Sequence, residues 1–169
     1  MGMDPYLNTT DTLTLRAHEM ALSNIEIQHL CSVVQAEKSL SSYLKLENGI
    51  NPRTMHRYFR QFGTAGLDGC LLFLARYWAE CGIYLDPKDW GKQIEAIYAV
   101  FEAWWDKHDE IVEPPTLLNG KDLMNCLDLD SGPLVGALLQ EIRERQADGE
   151  ITNRDEALEY ARKRLSRRE

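Results

Sequence analysis

An all-α fold of two helical bundles is what this sequence predicts, and three observations predict it. Apolar residues recur at three- and four-residue intervals through most of the chain. Capping side chains or first-turn prolines precede several of these stretches, as helix starts require. The pattern breaks most clearly at Glu113-Pro114-Pro115, where consecutive prolines force extended backbone. The expected organisation is therefore a loose N-terminus over 1–10, a helical unit over 11–112, a proline linker over 113–115 and a small three-helix unit over 116–169.

Taken in order, Leu13 to Met20 suits a first helix. Ser23 caps the next, with Glu26 placed to return a bond to the cap and Ile27, Leu30 and Val34 on one face. That helix continues through Leu40 and Tyr43 to a turn at Asn48-Gly49. Asn51-Pro52 opens a third, with Met55, Tyr58, Phe59 and Phe62 inward and Arg53, Arg57 and Arg60 roughly opposite. The arginine row is either a phosphate-contacting stripe or a solvated face, and the solvated face is the expectation. Leu67, Leu71, Leu74, Trp78 and Cys81 mark the helix expected at the centre of the first bundle. Asp86-Pro87 begins a long helix whose stripe of Trp90, Ile94, Ile97, Phe101, Trp104 and Trp105 follows the interior period; core packing is preferred there over base stacking.

Beyond the prolines, Asn119 and Asp122 form a capping-box pattern for a short helix ending near Asp128. Gly132-Pro133 opens the next, with Leu134, Leu138, Leu139 and Ile142 as its apolar face and Gly149 to end it. Thr152, with Asp155 three residues later, is the expected cap of the last, whose inner side is Leu158, Ala161 and Leu165.

The 169 residues suffice for one sizeable core or two small ones. A formal net charge of −8 argues against a general nucleic-acid binder, because nonspecific affinity for phosphate comes from Lys and Arg. Any RNA contact must be local. No apolar run approaches the ~20 residues of a membrane span, and the opening residues lack the apolar core of a signal peptide. A cytoplasmic protein is the expectation. Cys31, Cys70, Cys81 and Cys126 fit no metal or redox spacing and read as buried thiols.

The motifs of the second half are longer and more specific. Leu118-x-Gly120-x-Asp122-Leu123-Met124, Leu129-x-x-Gly132-Pro133-x-x-Gly136-x-x-Leu139 and Gly149-Glu150-Ile151-Thr152-x-Arg154-x-x-Ala157 resemble the C-terminal RNA-binding region of bacterial HD-containing tRNA nucleotidyltransferases and poly(A) polymerases. Leu22-Ser23-Asn24-x-Glu26-Ile27 and Arg57-x-Phe59-Arg60-x-x-Gly63-x-x-Gly66-Leu67-Asp68 are similar to the end of that family's HD-type middle domain. The resemblance covers most of this chain but only the rear of the family's chain. It implies a part that holds RNA, with tRNA as partner, for a catalytic domain supplied in cis or trans. The strand-borne carboxylate pair that holds Mg²⁺ for nucleotidyl transfer has no counterpart here, so the chain alone is expected to be inactive and to carry no cofactor.

Where the family often has paired histidines this sequence has Ala36 and Glu37, and where it often has an aspartate this one has Arg76, which repels a cation. The HD-like part therefore reads as a structural remnant without a metal site. The residues best suited to RNA are Lys121, Gly132, Arg154, Arg162, Lys163, Arg164 and Arg167, with Arg168 beside them. Gly132 lies at a helix opening whose free N–H groups suit a phosphate, although Asp128 stands where the family commonly has glycine, Ser131 where it has proline, and the corner reads equally as a structural turn. The basic tail is likewise either an RNA contact or a solvated helix paired with Asp155, Glu156 and Glu159. Two further readings stand beside RNA holding: a freestanding protein-interaction or homodimerisation module, favoured by acidity and tryptophan content, and a degenerate HD metal phosphohydrolase.

Overall fold

The computed structural model describes residues 9–45 and 49–166, and among them there are helices and no strand. The chain is all-α. In order, α1 spans Thr9–Glu19, α2 Asn24–Leu44, α3 Pro52–Phe62, α4 Ala65–Cys81, α5 Pro87–Trp105, α6 Gly120–Leu127, α7 Pro133–Ala147 and α8 Arg154–Ser166. A 3-10 turn follows α4 and a π turn over His108–Val112 follows α5. The expected loose end at 1–10 lies outside the described residues up to position 8, and α1 already begins at Thr9.

Two compact units make up the chain, one of Met1–Gly49 with Tyr58–Ala99, the other of Ile50–Arg57 with Val100–Glu169. Their boundaries fall inside α3 and α5. The stretch around Pro114 is non-helical, as prolines require, but it lies within the second unit: Ile111, Val112 and Leu118 are buried, and Gln146 donates to the Pro115 carbonyl at 2.8 Å.

In the first unit, Ser23 and Glu26 form the reciprocal cap of α2, the Glu26 carboxylate accepting from Ser23 N–H at 2.7 Å. α4 packs against α2 through a face that hydropathy did not mark. Ala65, Gly66, Gly69, Cys70 and Phe73 are buried, while Leu67, Leu74 and Cys81 are half-buried and Leu71 and Trp78 are 56% and 59% exposed. The reason is close approach. A Cβ on Gly69 would lie 2.7 Å from the Ala36 Cβ and 3.1 Å from the Glu37 backbone nitrogen, so only a small residue lets the helices meet there. Tyr58 is buried over this crossing; its ring meets Phe59 and Phe62 edge-on and its hydroxyl donates to the Gly66 carbonyl at 2.7 Å. Cys70 is fully buried beside it, and burial pushes its thiol up to about 12. Cys31 and Cys81 are only half-buried and Cys126 is exposed, so the expectation of buried thiols holds for Cys70 alone. The α5 stripe is also less interior than its period suggested: Ile97 is buried, but Ile94 and Trp105 are exposed.

The second unit has an aliphatic core of Leu118, Leu123, Val135, Leu138, Ile142 and Ile151 closed by Ala157 and Ala161. Asn119 and Asp122 cap α6 reciprocally at 2.9 and 3.0 Å. α6 ends on Asp128 at φ 52°, a left-handed position that an aspartate tolerates better than most residues. α7 ends before Gly149, whose φ of 75° lets Glu150 N–H turn back to the Arg145 carbonyl at 2.9 Å. The cap of α8 sits one residue later than Thr152: Asn153 accepts from Glu156 N–H at 3.0 Å, and Glu156 rather than Asp155 returns to the chain, accepting from Thr152 N–H at 2.7 Å.

Candidate nucleic-acid interface

The charged side chains of the second unit gather where α7 and α8 run beside the first residues of α3. Helical spacing sets them up locally: Glu141 and Arg145 are four apart on α7, Tyr160 and Arg164 four apart on α8. The Tyr160 hydroxyl donates to Glu141 at 2.6 Å, and Arg164 Nε donates to the same carboxylate at 2.9 Å. Arg145 pairs with Glu150 and lies over the Tyr160 ring, its guanidinium carbon 4.5 Å from the centroid. From α3, Arg53 reaches Asp148 at 3.0 Å and Glu150 at 3.1 Å, and Arg57 reaches Glu144 at 2.5 Å. A polar cleft of about 290 Å³ lies among these groups.

Glu144 is nearly buried. Burial pushes its carboxyl up, but hydrogen bonds from Arg57 and Gln140 and the charge of Arg57 outweigh that and hold it below the ordinary carboxylate value. Arg53 and Arg57 are thus partners of acidic residues on and just after α7, and neither a free phosphate stripe nor a plain solvated face describes them. Only Arg60 of that row is without an ion pair among the described residues, and it is exposed.

The residues expected to bind RNA are not all brought together. Lys163 and Arg164 share a groove of about 320 Å³ with Arg145 and Tyr160, and these four side chains are its lining. Arg162 is exposed on the same helix, with no ion pair among the described residues. Arg154 instead ties the start of α8 to α6, donating to Asp122 at 3.0 Å, a hydrogen bond that holds the Asp122 carboxyl below its ordinary value. Lys121 is exposed at the opening of α6. Gly132 precedes α7 in extended backbone, with open space around it. Arg167 and Arg168 lie outside the described residues. Sequence reasoning passed over Arg145 and Tyr160. Their one signal was the pair of i, i+4 repeats, because the contact between them crosses the Gly149 turn.

In the first unit, Glu37 and Arg76, two of the residues singled out in the sequence, meet each other. Arg76 pairs with the buried Glu37 at 2.6 Å, with Ser41 and Glu80 completing the arrangement. A guanidinium fills the space beside that carboxylate, and no group of three or more His, Cys, Asp or Glu among the described residues is placed to hold a metal ion. No described helix is long and apolar enough to cross a membrane.

Residues 90–161 match a family model described as tRNA nucleotidyltransferase domain 2, putative. A CC-adding tRNA nucleotidyltransferase of Synechocystis sp. is 37% identical over 65 residues, which cover 38% of this chain and 16% of that protein. No solved structure matches the chain.

Proposed function

We propose, from the match of residues 90–161 to the model of tRNA nucleotidyltransferase domain 2, that this chain is a non-catalytic part that holds tRNA for a nucleotidyltransferase catalytic domain. The observation that carries the reading is local charge: α8 presents Arg162 and Lys163 to solvent at and just beyond the end of the matched region, although the chain as a whole is acidic. Phosphate oxygens are drawn to such a patch, and counterions released from the RNA supply most of the free energy. The HD-like first unit is a helical support in this reading, and poly(A) polymerase-like chemistry is the neighbouring possibility for the catalytic partner. In this reading the Mg²⁺ that nucleotidyl transfer needs belongs to that partner. A role on tRNA implies a cytoplasmic protein.

The test is tRNA binding by the full chain at several salt concentrations. Weak binding that falls with salt is expected. Replacing Arg162, Lys163 and Arg164 by glutamine should lower affinity and reduce the slope of log K against log salt by about 1 or more. Arg60→Gln is the comparison and should change little. If the triple variant keeps its circular-dichroism spectrum and binds tRNA as the parent does, α8 is not the contact and the reading fails.

A second reading is favoured by one observation in the first unit. Leu71, Trp78, Ile83, Tyr84 and Tyr98 are exposed on α4, the 3-10 turn and α5. A second copy of the chain is the occupant this reading proposes. A monomer by sedimentation equilibrium at high concentration removes it.

A further inference from the structure

We infer that the groove lined by Arg145, Tyr160, Lys163 and Arg164 takes one unpaired nucleotide of an RNA strand, its base stacked on the Arg145–Tyr160 pair and its phosphate at Lys163 and Arg164. The inference rests on the proposed tRNA-holding role and names the place and the chemistry. Three features of the groove point there. Its lining is three cations and one aromatic ring, with no carboxylate among the lining residues. Its volume of about 320 Å³ is at the small end of ligand sites, which run from roughly 300 Å³ upward and suit a single flat ring with a charged group attached. One wall is already assembled: the Arg145 guanidinium carbon lies over the Tyr160 ring, 4.5 Å from its centroid, and arginine and aromatic side chains are surfaces on which unpaired bases settle.

The wall is held from behind. Glu141 accepts from both the Tyr160 hydroxyl and Arg164, and Glu150 pairs with Arg145, so the ring and two cations are positioned before any ligand arrives. Lys163 is different. Its partner Glu159 is four residues earlier on the same exposed helix face, with side chains 68% and 63% accessible, and such pairs exchange readily for a stronger anion. An acidic peptide would use the cations and leave the ring idle. A nucleotide uses both.

The experiment is titration of the full chain against a short fluorescein-labelled single-stranded RNA, the same sequence as a duplex, and a free mononucleotide as competitor. Arg145→Lys keeps the charge and removes the plane; Tyr160→Ala removes the ring; Tyr160→Phe keeps it. Single-strand affinity should fall about tenfold in the first two variants and stay within about twofold of the parent in the third, the range that loss of one stacked base gives. Duplex binding should respond little to any of them. Unchanged single-strand binding in folded Arg145→Lys and Tyr160→Ala overturns the inference and leaves the tRNA-holding proposal standing. Competition by free mononucleotide as strong as by RNA also overturns it, by assigning the groove to a small molecule. If the parent binds neither tRNA nor single-stranded RNA, the broader proposal falls, and this one with it.

Discussion

The two units of this protein are held together by different means. The first relies on close approach: small residues let α2 and α4 meet at Gly69 and Ala36, and Tyr58, Phe59 and Phe62 pack edge-on beside them. The second has a modest aliphatic core and surrounds it with ion pairs, Arg57 to Glu144, Arg53 to Asp148 and Arg164 to Glu141 among them. Packing of the first kind is insensitive to pH and salt and sensitive to a single methyl group. Charge pairing of the second kind contributes less per contact, depends on protonation, and leaves cations near the surface where a ligand can compete for them.

The largest effect expected on this contrast is at Phe73. It is buried on the face of α4 that meets α2, so Phe73→Ala should cost about 3–5 kcal/mol in chemical denaturation. Leu74→Ala, one position round the helix and half-buried, should cost well under half of that. Equal costs would mean that α4 is rotated from the orientation described. Next in size is Glu144, which belongs to the second unit alone. Because its folded carboxyl titrates below the unfolded value of 4.5, its contribution is complete above that pH and is lost as the pH falls through the lower folded value. Glu144→Gln should cost about 1 kcal/mol at neutral pH, and the difference from the parent should shrink as the pH falls below 4.5. A difference that is constant with pH would show that the carboxylate charge is not what Arg57 holds. The smallest change is a gain. Asp128→Gly relieves a left-handed cap and should raise stability by about 0.5 kcal/mol, readable as a higher Tm. A loss instead would mean that the aspartate makes a compensating contact.

Legibility in the sequence followed the range of the interaction. Ser23 with Glu26 and Asn119 with Asp122 were readable because both partners lie within one helical turn. Thr152 and Asn153 are both good caps and adjacent, so a one-residue error there came from two valid candidates. The face of α4 was misread for a different reason. Hydropathy ranks leucine above glycine, whereas the crossing with α2 buries Ala65, Gly66, Gly69 and Cys70 beside Phe73, and Leu71 is left exposed. In the candidate site, Lys163 and Arg164 were legible as basic residues. What arranges them was not, since Arg53 meets Glu150 across 97 positions and Arg145 meets Tyr160 only once the Gly149 turn has closed.

Cys70 makes the α2–α4 crossing observable in time. A thiol that titrates near 12 and has no solvent exposure is unreactive at neutral pH for as long as the helices stay in contact. Cys126, exposed on α6, offers a thiol in the other unit that a reagent reaches without any opening. The same labelling reaction therefore carries its own reference: modification of Cys126 reports the reagent, and the lag before modification of Cys70 reports how often the first unit breathes.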